Sequence, residues 1–547
     1  MRQFLLVLAV LVPALTVGLG WGPLMDWDEN IYGEAAREAV TRGNFFSPTV
    51  NGQPFAEKPP LVIWEMAASF RLFGIGEAAA RLPSAVNSIV FAVLLIAIAR
   101  PRLGGEAALL WALMQATALL PLLLARAAVM DASFNALIGL AALCLYEYDL
   151  AHEAWRGRGG RRWAHWAWLL GAALAMGLSV LVKGPLGGVI PLVAYASLKL
   201  AKPRPWPRLG HIAVCGAVAL GVALSWYAAN WLTQGDEFLR RFAEFQGMLF
   251  SKPLDGHRGP VFYHVVAGVI GLFPWTPLLL LYLLRPVRQA VWSDPATRPL
   301  AAMSLGWIAF VLALFTAVQT KLPHYSASMY LPLALLCVLA LRVTVAAWGR
   351  LPRWVCGLFA GYGLALGALF AVLPYAMDPL MRRAGLLIEP PPAPSPWAWL
   401  PGAVLAAGVG WAALGWRRGP PARAVLIAAA TLGAFMLGMW RWQLPLVAAY
   451  NQGPVLTLMR EAYARGGDLA LYRMVSFAVL FYGERDVLVL HSYKLQGDPA
   501  RLDRPGPRPL YVVTPRNRAA QMLREHPGLE PVSAAGDLAL YVRPAKP

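Results

Sequence analysis

The chain is 547 residues long, 58% hydrophobic and only 14% charged, with a formal net charge of +19. That composition is too apolar for a water-soluble protein of this length, which excludes a soluble globular enzyme and a disordered scaffold. The basic excess does not indicate nucleic acid, because it falls in short clusters between long apolar runs.

Crossing a hydrocarbon core takes about 20 apolar residues per helix. Thirteen runs fit, at approximately 4–24, 82–99, 107–125, 131–149, 163–182, 184–200, 209–232, 261–284, 300–320, 327–345, 354–374, 397–415 and 424–443. The first follows Arg2 and has no Ala-x-Ala cleavage site before the acidic stretch behind it, so it reads as a signal anchor. Basic residues gather in alternate loops: Arg100 and Arg102; Arg156, Arg158, Arg161 and Arg162; Lys199, Lys202, Arg204 and Arg208; Arg285, Arg288 and Arg298; Arg342, Arg350 and Arg353; Arg417, Arg418 and Arg423. The intervening short loops hold only Arg126, Lys183, Lys321, Arg382 and Arg383. The positive-inside rule therefore puts the N-terminus in the cytoplasm, and thirteen crossings put the C-terminus outside.

In chain order, the first external region is 25–81. Ile31, Ala35 and Ala39 recur at helical spacing through 28–42, with Glu34, Arg37, Glu38 and Arg42 on the other faces, which predicts a helix lying on the membrane surface. "LVIWEMAASFRLFG" at 61–74 has the same character, and "NGQPFAEKPP" joins the two. "EPPPAPSPW" at 389–397 reads as an extended external loop. The cysteines, Cys144, Cys215, Cys337 and Cys356, all lie inside apolar runs without paired spacing, which excludes a disulfide framework and a zinc knuckle.

From Gly453 the composition changes. A helix-like "PVLTLMREAYARG" precedes strand-like runs at 468–472, 486–491, 509–513 and 537–542, the pattern of a small α/β domain of about a hundred residues. It has no glycine-rich phosphate loop and no nucleophile elbow. The expected fold is an α-helical polytopic membrane protein of about thirteen spans with external interfacial helices, residues 1–443, followed by a small external α/β domain, residues 444–547.

Ionisable groups at a membrane boundary are costly and mark candidate sites. On the outer side these are Asp26, Asp28 and Glu29; Glu57 and Lys58; Asp131; Lys183; His257 and Arg258; and Lys321, His324 and Tyr325. Singly, each has an architectural alternative. Asp28 and Asp131 could be helix caps, Glu57 and Lys58 a surface pair, Lys183 and Lys321 snorkelling side chains, and His324 an interfacial polar contact. Together, lysines and an arginine beside carboxylates make a site for the anionic head group of a lipid, with a carboxylate to serve as base or to orient an acceptor hydroxyl. The "DWD" at 26–28 superficially matches the metal-binding Asp-x-Asp of soluble sugar-nucleotide transferases, but the nucleotide-binding fold those motifs need is missing from this pattern.

The stretch "DWDENIYGEAAREAVTRGNFFSPTVNGQPFAEKPPLVIWEMAASFRLFGIGEAAARLPS" resembles the first external region of the bacterial lipid A 4-amino-4-deoxy-L-arabinose transferases and the related protein mannosyltransferase-like enzymes of the glycosyltransferase C superfamily. "LVKGP" at 181–185, "HRGPVFY" at 257–263, "FPW" at 273–275 and "KLPHY" at 321–325 add to it. The resemblance implies a bacterial inner-membrane glycosyltransferase that moves a sugar, with inversion, from undecaprenyl phosphate to an external lipid or glycan acceptor such as lipid A. Its implied residues are Asp28 at the reaction centre and Lys58, Arg258 and Tyr325 on the donor phosphate. Glu29, Phe55, Asp131, Lys183, Lys321 and His324 would line the substrates. It leaves a divalent metal ion on Glu57 and His257 as the cofactor candidate, with no nucleotide cofactor. Two positions depart from the aminoarabinose pattern: Ile31 stands where "DETRY" has arginine, and Phe55 where a tyrosine is expected. Both bear on the sugar site, so neither the sugar nor lipid A as acceptor is fixed by the resemblance, and protein or polysaccharide hydroxyls stay open as acceptors.

Two rival readings give different signatures. A lipid flippase or transporter predicts ionisable groups at the bilayer midplane and paired repeats, whereas here the charges gather at one face and no repeat is visible. Alternatively, the tail recruits an envelope partner and the membrane part is scaffold.

Overall fold

The computed structural model describes residues 2–157, 163–201, 205–251, 257–384, 388–492, 495, 497–504 and 506–545. Arg158, Arg161, Arg162, Lys202 and Arg204 of the basic clusters lie outside the described residues. The chain is an α-helical, multi-pass membrane protein with a small α/β domain at its C-terminal end.

Every apolar run is helical, but fewer than thirteen are full spans. Among the described residues eight helices are long and apolar enough to cross a membrane, or ten if each of two bent pairs is one span. The 107–125 run breaks at Ala118 into Gly105–Thr117 and Leu119–Arg126, bent by 67°. The 261–284 run breaks around Pro274 into Tyr263–Gly271 and Thr276–Leu283, bent by 116°, because proline brings no N–H to the ladder. The two breaks meet, with Leu119 N–H donating to the Phe273 carbonyl at 2.9 Å. The 184–200 run makes only the 16-residue Leu186–Ala201 helix.

The first run is also shortened, to Arg2–Thr16. Gly18, Gly20 and Gly22 take the chain out of the helix, Gly18 with φ of 71°. Two buried arginines then satisfy the exposed carbonyls: Arg126 donates to Ala14 and Val17, and Arg81 to Leu19, Gly22 and Pro23, all at 2.6–2.9 Å. Irregular backbone at membrane depth is tolerated only where protein groups pair with it in this way.

Helix Asp28–Arg42 forms where expected, but its polar faces are packed against protein. Residues 29–39 are buried throughout, including the charged ones. Arg37 pairs with Glu34 at 2.7 Å, and Glu38 accepts from Thr49 and from the Gly52 amide. The reason is that the C-terminal domain covers this helix, so its polar faces meet protein instead of head groups. Leu61–Phe73 does keep an outward apolar edge, with Leu72 and Phe73 exposed. The connector holds a hairpin, β1 (Thr49–Val50) and β2 (Gln53–Pro54), turning on Asn51 and Gly52 with φ of 57° and 70°. Asn-Gly is the residue pair that such a turn favours.

The tail sheet has the order β4-β3-β5-β7-β6: β3 (Asp468–Tyr472), β4 (Leu488–Leu490), β5 (Leu510–Pro515), β6 (Glu530–Ala535) and β7 (Leu538–Arg543). β3 runs parallel to β4 and β5, and β7 is antiparallel to β5 and β6. Strand β6, not expected from the sequence, is a half-exposed edge of small and polar residues lacking an apolar run. The twofold alternation of strands gives the sheet two cores. Leu469 and Leu471 face a cluster continuous with the membrane bundle, while Ala470 and Tyr472 face Met522 and Leu502.

This shared core is reinforced by polar ties. Asp26 accepts from Ser476 Oγ at 2.6 Å and from the Phe477 and Ala478 amides at 2.9 and 3.1 Å, capping helix Phe477–Gly483. Asn51 exchanges two 2.8 Å bonds with the backbone of Val487, and Arg42 pairs with Asp486. The α/β domain thus sits on the same end of the bundle as the first connecting region.

Candidate active site

The candidate residues come from helix ends and short connections at that end. Asp28 is the first residue of its helix, Asp131 opens Asp131–Arg156, and Lys183 closes Ala164–Lys183. His324 and Tyr325 lie on the 3-10 turn Pro323–Met329, and Lys58 on the strap before Leu61–Phe73. Antiparallel packing of the two helices brings Asp131 to 2.6 Å from Lys183. The Lys183 ammonium sits 5.6 Å from the Tyr325 ring centre, and His324 Nε2 is 3.9 Å from Asp28.

Asp28 is not a cap. Trp27 occupies the N-cap position without a side-chain bond, and the Asp28 carboxylate remains 39% exposed. Lys58 lies 5.5 Å from the Phe245 ring centre. Burial, and then the like charge of Lys183, push its ammonium down to about 8, with Glu57, Asp28 and Asp131 acting in the opposite sense. Lys58 therefore shares one electrostatic neighbourhood with these four groups.

Two of the sequence candidates are occupied elsewhere, and a third stands apart. Glu29 is 6% exposed and binds Arg81 through both oxygens at 2.8 Å, while also accepting from the Ala128 and Met25 amides. Burial raises its carboxyl, but the Arg81 charge and these bonds outweigh that and hold it below the usual range. Lys321 spends its ammonium on the Phe315, Thr316 and Val318 carbonyls at 2.6–2.8 Å, closing the end of helix Arg298–Ala317. Arg258 is exposed on the 257–260 loop, with no described contact joining it to the Lys58 neighbourhood.

The metal pair fares no better. His257 is exposed, its carbonyl held by the Lys321 amide, and Glu57 lies on the strap. Among the described residues the three-ligand cluster with metal-binding spacing lies elsewhere, in the α/β domain, and does not include this pair.

Beside Glu57 opens a cavity of about 520 Å³. Its walls come from the connecting region (Ile31, Phe55), helix Glu237–Ser251 (Arg240, Arg241, Phe245, Met248) and the α/β domain (Phe477, Leu495). Ile31 and Phe55, the two departures from the aminoarabinose pattern, face this same space.

Tyr32 and Phe245 were not among the sequence candidates. Burial first, then the charges of Asp28, Glu57 and Asp131, push the Tyr32 phenol up, so it stays a neutral donor. The Phe238, Phe242 and Phe245 spacing within 237–251 is the signal that could have marked the cavity wall as an amphipathic helix.

Comparison with known proteins agrees with the resemblance. The family model for dolichyl-phosphate-mannose-protein mannosyltransferase matches residues 57–227. An undecaprenyl phosphate-alpha-4-amino-4-deoxy-L-arabinose arabinosyl transferase of Pseudomonas paraeruginosa is 30% identical over 377 residues, 66% of this chain and 62% of that protein. The enzyme of that name from Edwardsiella ictaluri is 29% identical over 344 residues, 61% of this chain and 57% of that protein. The chain thus spans less than two thirds of the length of the curated relatives it matches. The crystal structure of ArnT from Cupriavidus metallidurans bound to undecaprenyl phosphate superposes with a TM-score of 0.78, at 19% identity, covering 100% of this chain and 99% of that one, which establishes a shared fold.

Proposed function

We propose that this chain is a glycosyltransferase of a bacterial inner membrane that moves a sugar from a polyprenyl phosphate, undecaprenyl phosphate in the bacterial case, to an acceptor on the side of the α/β domain. The observation that carries the proposal is the half-buried Lys58, grouped with Lys183, Asp131, Asp28 and His324 at one end of an apolar bundle. The names of the relatives that match most of that region support it. The positive-inside pattern supports a cytoplasmic N-terminus and a periplasmic tail.

In the proposed reaction the bond between the anomeric carbon and the donor phosphate breaks as an acceptor oxygen attacks, and polyprenyl phosphate leaves with the bonding pair. Charge develops on the phosphate oxygens, where Lys58 supplies preorganised positive charge. Lys183 is fixed by Asp131 and contributes at longer range, and Tyr325 packs against it. Asp28 is positioned to take the proton of a hydroxyl acceptor, and an ionised phosphate acceptor would need no base. Inversion follows from a single displacement.

The relatives' names give the sugar as 4-amino-4-deoxy-L-arabinose, and lipid A is the acceptor expected from the resemblance. A second reading, a different sugar or a protein or polysaccharide hydroxyl as acceptor, is favoured by Ile31 and Phe55 in the cavity wall. Mass spectrometry of envelope glycolipids and glycoproteins with and without the protein separates these readings. Loss of transfer in both Lys58→Ala and Asp28→Asn, with folding intact, supports the proposal; full activity in Asp28→Asn removes Asp28 from the chemistry.

A further inference from the structure

The carboxyl edge of the parallel strands in the tail domain collects groups that the transferase reading does not use. His491 directly follows β4, and Glu525 and His526 end helix Arg516–Glu525. One ligand atom from each of these three side chains lies within 4.8 Å of the others. His491 Nε2 is already 3.9 Å from Glu525 Oε2. His526 is 6% exposed, whereas His491 and Glu525 are each about one-third exposed, which opens the group to solvent on one side.

The surroundings orient these groups. Asp503 Oδ1 accepts from His526 Nδ1 at 2.9 Å, which leaves Nε2 as the lone-pair nitrogen. A carboxylate behind a histidine is the usual outer partner of a metal-bound imidazole. Gln521 and Arg473 hold Glu525 Oε1 at 2.8 and 3.5 Å, and the Tyr472 hydroxyl donates to Oε2. The Tyr472 ring packs edge-on against both imidazoles, with centroids 5.3 Å from His491 and 6.0 Å from His526.

The backbone is unusual at the same place. Arg473 and His491, the residues that follow β3 and β4, both adopt left-handed φ, 54° and 56°. The Arg473 amide donates to the Leu490 carbonyl at 3.0 Å, tying the two strand ends together. Left-handed non-glycine residues are strained and cluster at ligand sites. The carboxyl ends of parallel strands are also where open α/β sheets bind ligands.

We propose that His491, Glu525 and His526 form a binding site for a divalent transition metal of the zinc class, with Asp503 as the positioning residue behind His526. Two imidazoles and one carboxylate suit zinc rather than calcium or magnesium, which prefer all-oxygen sets. Zinc holds such ligands at about 2.0–2.2 Å, and small rotations of the two solvent-facing side chains, His491 and Glu525, close the set. The fourth position then faces solvent, open to water or to a ligand from a partner. The ion would bind the end of β4 to the last helix of the domain.

The test is metal uptake by the full chain in detergent, stripped with a chelator and titrated with zinc against a chromophoric competitor. The intact chain should take up one equivalent more than His526→Ala, and its visible cobalt spectrum should be tetrahedral. Asp503→Asn should weaken zinc binding about 10-fold or more. His491→Asn, whose asparagine tolerates the left-handed backbone, repeats the comparison if His526→Ala does not fold. Equal zinc stoichiometry and affinity in the intact chain and His491→Asn would overturn the site. Because the readout is metal uptake, the result is independent of whether the chain transfers a sugar.

Discussion

Asp131 and Lys183 stand 2.6 Å apart at the ends of two antiparallel helices, with side chains only 5% and 11% exposed. The Lys183 ammonium is also 5.6 Å from the ring centres of both Phe134 and Tyr325. The pair belongs to the candidate site, and neither partner can be removed without leaving the other's buried charge without its direct partner.

Lys183→Ala should therefore destabilise the protein by about 3–5 kcal/mol, the cost of stranding one charge of a buried pair. Lys183→Met combined with Asp131→Asn should recover most of the thermal stability in detergent, yet not the transfer rate. A single variant that melts with the parent would show the pair to be solvated.

Asp28 and Glu29 should separate cleanly. Asp28→Asn is expected to lower the turnover number with little change in melting temperature, because Asp28 is partly exposed and its His324 partner is a loose 3.9 Å away. Glu29→Gln should reduce stability and yield, since Arg81 loses its counter-charge, and the folded fraction should keep its affinity for donor. Opposite results would exchange their roles.

Lys58 sets a pH dependence. Its folded value lies near 8, below that of the unfolded chain, so the ammonium is present below about 8 and lost above it. Binding of undecaprenyl phosphate should be flat up to about pH 7.5 and then weaken, by up to tenfold per pH unit, until the bound form also titrates. Lys58→Arg should flatten the profile, since guanidinium stays charged. For folding the sign is reversed: between about 8 and the unfolded value the unfolded chain binds more protons, so this group's contribution to stability rises with pH. A titration of donor affinity that stays level through pH 10 would exclude Lys58 from the phosphate.

Asp26 ties the α/β domain to the bundle. Asp26→Ala leaves Ser476 and two helix amides without their acceptor, a loss of about 1–2 kcal/mol by analogy with helix caps. Hydrogen exchange across 476–483 should accelerate, while exchange in the Asp131–Arg156 helix stays unchanged.

Lys321→Met should act like a lost helix cap. It frees the Phe315, Thr316 and Val318 carbonyls, lowers the melting temperature and leaves donor affinity unchanged. A selective loss of donor binding would return Lys321 to the site.

By itself the sequence determined the membrane class, the location of every helix-forming apolar run, the helices at 28–42 and 61–74, four of the five tail strands and the neighbourhood of Asp28, Lys58, Asp131, Lys183 and His324. These follow from local composition and period, which act within a few residues. It did not reveal the breaks at Ala118 and Pro274 or the burial of the 28–42 helix, because both depend on what packs there from elsewhere. Only the tertiary structure decided which charges are already satisfied. Adjacent Asp28 and Glu29 look alike in the sequence, but Arg81, 52 residues beyond Glu29, takes one carboxylate and leaves the other open. An ionisable side chain is free to bind substrate only when no distant partner neutralises it first, and which partners reach it is set by the packing of the helices.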